Sequence, residues 1–138
     1  MKKNQRTALD LLTGLVGDID GLKVTRRKMS GSFDMLGMFA GDFEITTNKK
    51  GRMKEIEMSM LYGFEDDRNI QVEVEWEGIN QKRFEKALQR GYEDEFFKAI
   101  ELLSEQDIGG FIDEMESIPG VGDLSVEASG NGQNLSWD

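Results

Sequence analysis

Two stretches of this chain alternate with a period of two. Ile56, Met58, Met60 and Tyr62 interleave with Glu55, Glu57, Ser59 and Leu61, and Ile70, Val72, Val74 and Trp76 interleave with Gln71, Glu73, Glu75 and Glu77. That period sends the first set of each stretch to one face of a sheet and the second to the other. Residues 39–46 repeat it, with Phe39, Gly41, Phe43 and Ile45 on one side and Ala40, Asp42, Glu44 and Thr46 on the other. A chain with this pattern is committed to an antiparallel sheet that buries one face and shows an acidic one to solvent.

Requiring the strands to share their apolar face sets the register, because a slip of one residue would turn every side chain over. Ile45 then pairs with Ile56 and Phe43 with Met58, joined by a two-residue loop at Lys50-Gly51, where glycine supplies the positive φ of a tight turn. Pairing Met60 with Val72 aligns Met58 with Val74 and Ile56 with Trp76 across a longer loop that carries Glu65, Asp66 and Asp67. Glu44, Glu57 and Glu75 thereby fall side by side, with Glu55 beside Glu77. Facing like charges cost up to about 1 kcal/mol per pair, so compensation is expected from Lys23, Arg27, Lys54 or bound cations.

Elsewhere the period is helical. Ala8, Leu9, Leu11, Leu12, Leu15 and Val16 place a helix over Thr7–Val16, stopped by Gly17. A short strand follows at Leu22–Thr25 and runs into Arg26-Arg27-Lys28. The stretch 30–41 has no clean period, and within it residues 30–39 read as a core-filling crossover or, beside Arg26-Arg27-Lys28, as a partner-binding or membrane-touching loop. From Asn80, a suitable N-cap, the apolar stripe Phe84, Ala87, Leu88, Tyr92, Phe96, Phe97, Ile100 and Leu103 marks a long helix that Gly91 kinks or divides. Ser104 and Asp107 resemble a second start, before a helix carrying Ile108, Phe111, Ile112 and Met115. Leu124, Val126 and Ala128 permit one more strand. The fold class expected is α+β: an N-terminal helix, an antiparallel sheet of about four strands, C-terminal helices on its apolar face, and the acidic face exposed. Residues 1–128 form one domain on this reading, and 129–138 a flexible tail in which Trp137 is the residue costly to leave in water.

Composition removes much chemistry. The 138 residues include no Cys and no His, which excludes thiolate metal sites, disulfides, thiol catalysis and the commonest general base. No apolar run approaches the roughly 18 residues of a membrane span. Asp10, Gly14 and Gly17 break the apolar stretch behind the basic N-terminus, so a secretory signal is not expected and a cytoplasmic location is. The net charge of −10 is uneven: residues 1–54 hold 11 Lys/Arg against 6 Asp/Glu, and residues 55–138 hold 6 against 21. The overall balance disfavours generic nucleic-acid binding, which depends on phosphate neutralisation.

Among short motifs, Ile118-Pro119-Gly120-Val121-Gly122, preceded by Phe111-Ile112-Asp113-Glu114-Met115, resembles the first half of a helix-hairpin-helix motif. In that family the Gly-hydrophobic-Gly amides hold a DNA phosphate. The following residues depart from it, with acids and glycines and no Lys or Arg, which leaves a Pro-Gly helix terminator as the main reading. Asp18-Ile19-Asp20-Gly21 is similar to part of a calcium loop, but Val16 and Arg27 stand where an EF-hand needs acids, and a turn is expected.

The leading functional expectation is a non-enzymatic interaction or regulatory protein. It presents Glu44, Glu55, Glu57, Glu73, Glu75 and Glu77 to a basic protein partner, with Phe33, Met35 and Met38 as an apolar anchor; mimicry of nucleic-acid charge is one version. No catalytic residue, metal ligand or cofactor is assigned. The alternatives are a small-ligand protein or enzyme with its site between sheet and helices near Met58, Met60, Tyr62 and Trp76, and nucleic-acid binding through Lys23, Arg26, Arg27 and Lys28 or the 118–122 turn.

Overall fold

The computed structural model describes residues 1–35, 39–63, 69–130 and 133–137. A helix over Lys3–Val16 (α1) precedes five strands, Ile19–Val24 (β1), Lys28–Met35 (β2), Phe39–Thr47 (β3), Met53–Gly63 (β4) and Asn69–Glu77 (β5). Helices Gln81–Gln89 (α2), Glu93–Ser104 (α3) and Ile108–Glu116 (α4) follow, then Asp123–Gly130 (β6) and Gln133–Trp137 (β7). The strands form a seven-stranded antiparallel sheet in the order β1-β2-β3-β4-β5-β6-β7. Each strand pairs with its neighbours in sequence, and the three helices between β5 and β6 fold back without altering that order.

The α+β class, the leading helix and the antiparallel sheet are as the sequence indicates, but the sheet has seven strands instead of about four. Two segments account for much of the difference. The stretch expected to be a crossover is β2, fully paired with β3 from Lys28↔Thr46 to Met35↔Phe39. Its period is concealed by Ser30, Gly31 and Ser32, small residues on both faces. Gly31 is small for a reason: a Cβ there would meet the Ile19 side chain, the Asp20 carbonyl and the Phe43 ring. Residues 133–137, set apart above as part of a tail, pair with β6 from Val126↔Trp137 to Gly130↔Gln133. The Tyr62 and Trp137 side chains, Leu36, Met38 and the Glu65-Asp66-Asp67 loop lie outside what the structure describes.

The inner face carries the register expected from the apolar period. Ile45 pairs with Ile56, Phe43 with Met58, Met60 with Val72 and Ile56 with Trp76. The hairpin tip differs: a register shift after Thr46 moves the turn back to Asn48–Gly51. The Gly51 amide donates to the Asn48 carbonyl at 2.9 Å, so Lys49 and Lys50 are the central pair and Gly51, at φ +83°, takes the left-handed position that follows. Asn48 Oδ1 also accepts from the Lys50 and Arg52 amides, which favours asparagine at this corner.

On that face α1 buries Ala8, Leu9, Leu12, Leu15 and Val16, α3 buries Phe96, Ala99, Ile100 and Leu103, and α4 buries Ile108, Phe111, Ile112 and Met115. Gly91, at φ +100°, divides the long helical stripe into α2 and α3, and Phe97 falls outside the buried part of it, exposed one position past Phe96. Asn80 caps α2 by accepting from the Arg83 amide, and Asp107 caps α4 by accepting from the Gly110 amide. Ser104 ends α3 instead of starting the next helix; its hydroxyl donates back to the Glu101 carbonyl.

Candidate functional site

The outer face of the sheet is assembled by the same registers that build the core. Glu44 faces Glu57, which faces Glu75; Glu55 faces Glu77; and on the next strand Glu73 faces Glu127 and Glu77 faces Asp123. Directly opposed residues in antiparallel strands have Cβ atoms about 4.5–5.5 Å apart. Glu57, Glu73, Glu75 and Glu77 are exposed, and Glu44 and Glu55 are half-buried. Among the described residues the ion pair that reaches these rows is Lys28 Nζ to Glu44 Oε1, at 3.1 Å. Lys28 is thus the compensating cation, one residue from the Arg27 anticipated, because strand parity turns Lys28 to this face. Lys23 lies on the neighbouring edge strand and lines the same surface.

The surface is concave. A depression of about 530 Å³ runs across β1 to β5, bounded by Gly21, Lys23, Ser32, Glu44, Glu57 and Glu75, with Asp42 and Glu73 also at its wall. Edge strand β1 forms one side of it, with a register shift between Asp20 and Lys23 and Gly21 at φ +64°. A bulge of this kind increases local twist and bends an edge strand. Small side chains at Ser30, Ser32 and Ser59 keep the floor low. Among the described residues no three acids converge as metal ligands would.

The apolar residues expected beside these glutamates lie elsewhere. Phe33 and Met35 are core residues, 4% and 1% exposed, on the opposite face of β2 from Ser32 and Asp34. Burial makes them packing groups and removes them as a surface anchor; Met38 is outside the described residues. The interior near Met58, Met60 and Trp76 is filled: the void they share with Leu12, Val16 and Phe111 measures about 10 Å³. That is room for about one water, whereas small-molecule pockets run to several hundred Å³. The 118–122 turn is spent on packing. A Cβ on Gly120 would collide with the backbone of Asn80, Arg83 and Phe84, and one on Gly122 with that of Glu77 and Gly78. The Gly120 carbonyl accepts from the Asn80 amide at 2.9 Å, tying the turn to the start of α2.

Two polar residues passed over in the sequence organise one end of the molecule. Gln5 and Gln81 are buried, 1% and 4% exposed. Gln5 Oε1 accepts from the Lys2 amide and its Nε2 donates to the Thr25 carbonyl. Gln81 Oε1 accepts from the Met53 amide at 2.6 Å and its Nε2 donates to the Asn4 carbonyl at 3.2 Å. Their signal was phase: Gln5 continues the stripe of Ala8, Leu9 and Leu12, and Gln81 that of Phe84 and Leu88, so both face inward despite their polarity.

Comparison of the chain with protein-family models, curated proteins and solved structures finds no match.

Proposed function

We propose that the protein is a non-enzymatic binding protein whose outer sheet face receives a basic protein partner. The observation that carries this reading is the set of in-register carboxylates: Glu44, Glu57 and Glu75 in one row and Glu55 and Glu77 in the next, with one lysine paired among them. Such rows repel internally, and a cationic surface brought against them relieves that repulsion while gaining charge-assisted hydrogen bonds. The concavity adds shape, favouring a protruding Lys- or Arg-bearing element over a flat surface. Closely spaced negative charge on a stiff scaffold is also what a nucleic-acid backbone offers, so a protein that normally grips phosphates is the favoured partner class.

A ligand or catalytic site between the sheet and the helices draws less support, since the void there is about 10 Å³ and the carboxylates stand on an open face. The test compares two variants of equal net charge. One carries Gln at Glu55, Glu57, Glu73 and Glu75; the other carries Gln at Glu85 on α2, Glu93 and Glu101 on α3, and Glu105 at the C-cap of α3. A basic protein retained from source lysate by the native chain and the helix variant, lost from the sheet variant and released by salt, is the expected result. Equal retention by both variants, or no basic protein retained by the native chain, overturns the reading.

A further inference from the structure

The positive charge of this acidic chain is gathered at one end by the fold. Three segments distant in sequence, 1–6, 25–28 and 47–54, hold ten Lys and Arg and no Asp or Glu. The structure lays them against one another. Lys2 Nζ donates to the Lys49 carbonyl at 2.9 Å and the Arg26 carbonyl at 3.4 Å. Asn4 Nδ2 donates to the Lys50 carbonyl at 2.7 Å, and the Thr47 amide to the Arg27 carbonyl at 2.8 Å. These bonds use main-chain oxygens of the turns, so the cationic side chains of Arg26, Arg27, Lys49 and Lys50 stay exposed.

Two helices add to the same pole. Gln81 bonds the Asn4 carbonyl, which brings the start of α2, with exposed Lys82 and Arg83, beside the start of α1. Neither helix has an acid in its first turn, so the positive ends of both dipoles are uncompensated by their own side chains. Among the described residues the ion pairs that draw on these segments are Arg6 with Asp10, at 3.9 Å, and Lys28 with Glu44.

We infer that this basic pole binds the phosphodiester backbone of a nucleic-acid duplex without reading its sequence. The net charge of −10 does not prevent it, because charge acts locally in salt. Along β4 the nearest row carboxylate, Glu55, lies three residues from Arg52, roughly 10 Å at about 3.3 Å per residue, against a Debye length of about 8 Å at physiological ionic strength, and Glu44 is already paired with Lys28. The β1–β2 and β3–β4 turns stand two strand spacings apart, roughly 10 Å, so their cations spread over more than one phosphate. The three segments contain no Phe, Tyr or Trp, and with no ring for bases to stack on, a duplex backbone is favoured over single strands. Met1 is the exposed large apolar residue of the pole, whereas Leu22, Leu61 and Phe97 lie outside these segments; a membrane-docking surface would carry several.

The test is fluorescence anisotropy of labelled 20-base-pair DNA and RNA duplexes of random sequence, titrated with the full chain between 50 and 200 mM salt. Four phosphate contacts predict a log–log salt slope of about −3.6 and a loss of about a hundredfold over that range. R26Q/R27Q/K49Q/K50Q should weaken binding at 50 mM salt by about tenfold or more and flatten the slope. R90Q/K98Q, which removes cations from the C-cap of α2 and from α3, should leave affinity within about twofold. The DNA and RNA arms identify the source of the backbone. No binding at 50 mM salt, equal loss in both variants, or tighter binding to vesicles containing phosphatidylserine than to either duplex overturns the proposal. Because every substituted residue lies outside the glutamate rows, failure here and failure of the proposed function are separate results.

Discussion

The acidic sheet face and the basic pole are built in opposite ways. The face comes from residues two apart on adjacent strands, Glu55 and Glu57 on β4 and Glu73, Glu75 and Glu77 on β5, joined by neighbour-to-neighbour hairpin pairing. The pole comes from segments as much as 77 positions apart that meet because Lys2, Asn4, Gln5 and Gln81 bond to turn, strand and helix backbone. One is a consequence of local period. The other depends on a few buried amides, and it teaches that a strongly charged surface can be invisible in a linear reading when its members are joined by main-chain contacts.

The two surfaces share the inner face of the sheet, so damage there has the largest effect on both. Ile56 is 1% exposed and sits between Ile45 and Trp76. Ile56→Ala should cost about 3 kcal/mol through lost burial and an unfilled cavity. Urea unfolding followed by circular dichroism measures it, and a loss below about 1 kcal/mol would mean the strand relaxes around the gap.

Separating the two regions calls for a subtler change. Gln81→Ala leaves the Met53 amide and the Asn4 carbonyl without their partner, a cost of about 2 kcal/mol. Hydrogen exchange should quicken at residues 48–53 and at the start of α1, while amides of β5 keep their protection. Uniform acceleration across both regions would show that the pole is not an independently supported unit.

Thr47 lies at the boundary, 1% exposed, with its Oγ1 buried and without a hydrogen-bond partner among the described residues. Thr47→Val removes that unsatisfied hydroxyl at similar volume and should raise stability by about 1 kcal/mol. A destabilised variant would point to a partner for the hydroxyl in solution. The smallest effect belongs to the acidic face. Glu57→Gln removes the central charge between Glu44 and Glu75, and should stabilise by roughly 0.5 kcal/mol at low salt, the gain fading as salt screens the row. A gain that persists at 1 M salt would have another cause.

What could be read without coordinates follows the reach of each signal. The alternation at 39–46, 55–62 and 70–77 carried the register of three strands, because side-chain parity admits one pairing once a face is buried. β2 escaped since Gly31 is small to admit Ile19 and Phe43, a demand set by the edge strand crossing it. Phe33 and Met35 read as part of a crossover and as an apolar anchor, not as strand residues, for the same reason. The hairpin tip moved from Lys50-Gly51 to Lys49-Lys50 because the bulge after Thr46 is a property of the paired strands. The glutamate rows were visible in outline, and their curvature was not.

Periods of 2 and 3.6 residues alone commit this chain to an antiparallel sheet with one apolar side, helices to cover it, and glutamates along the other. The convergence of α1, two turns and the start of α2 into one cationic end arises from long-range contacts. Main-chain carbonyls accept from Lys2, Asn4 and Gln81 there, and a backbone acceptor leaves no mark on the identity of the residue that carries it.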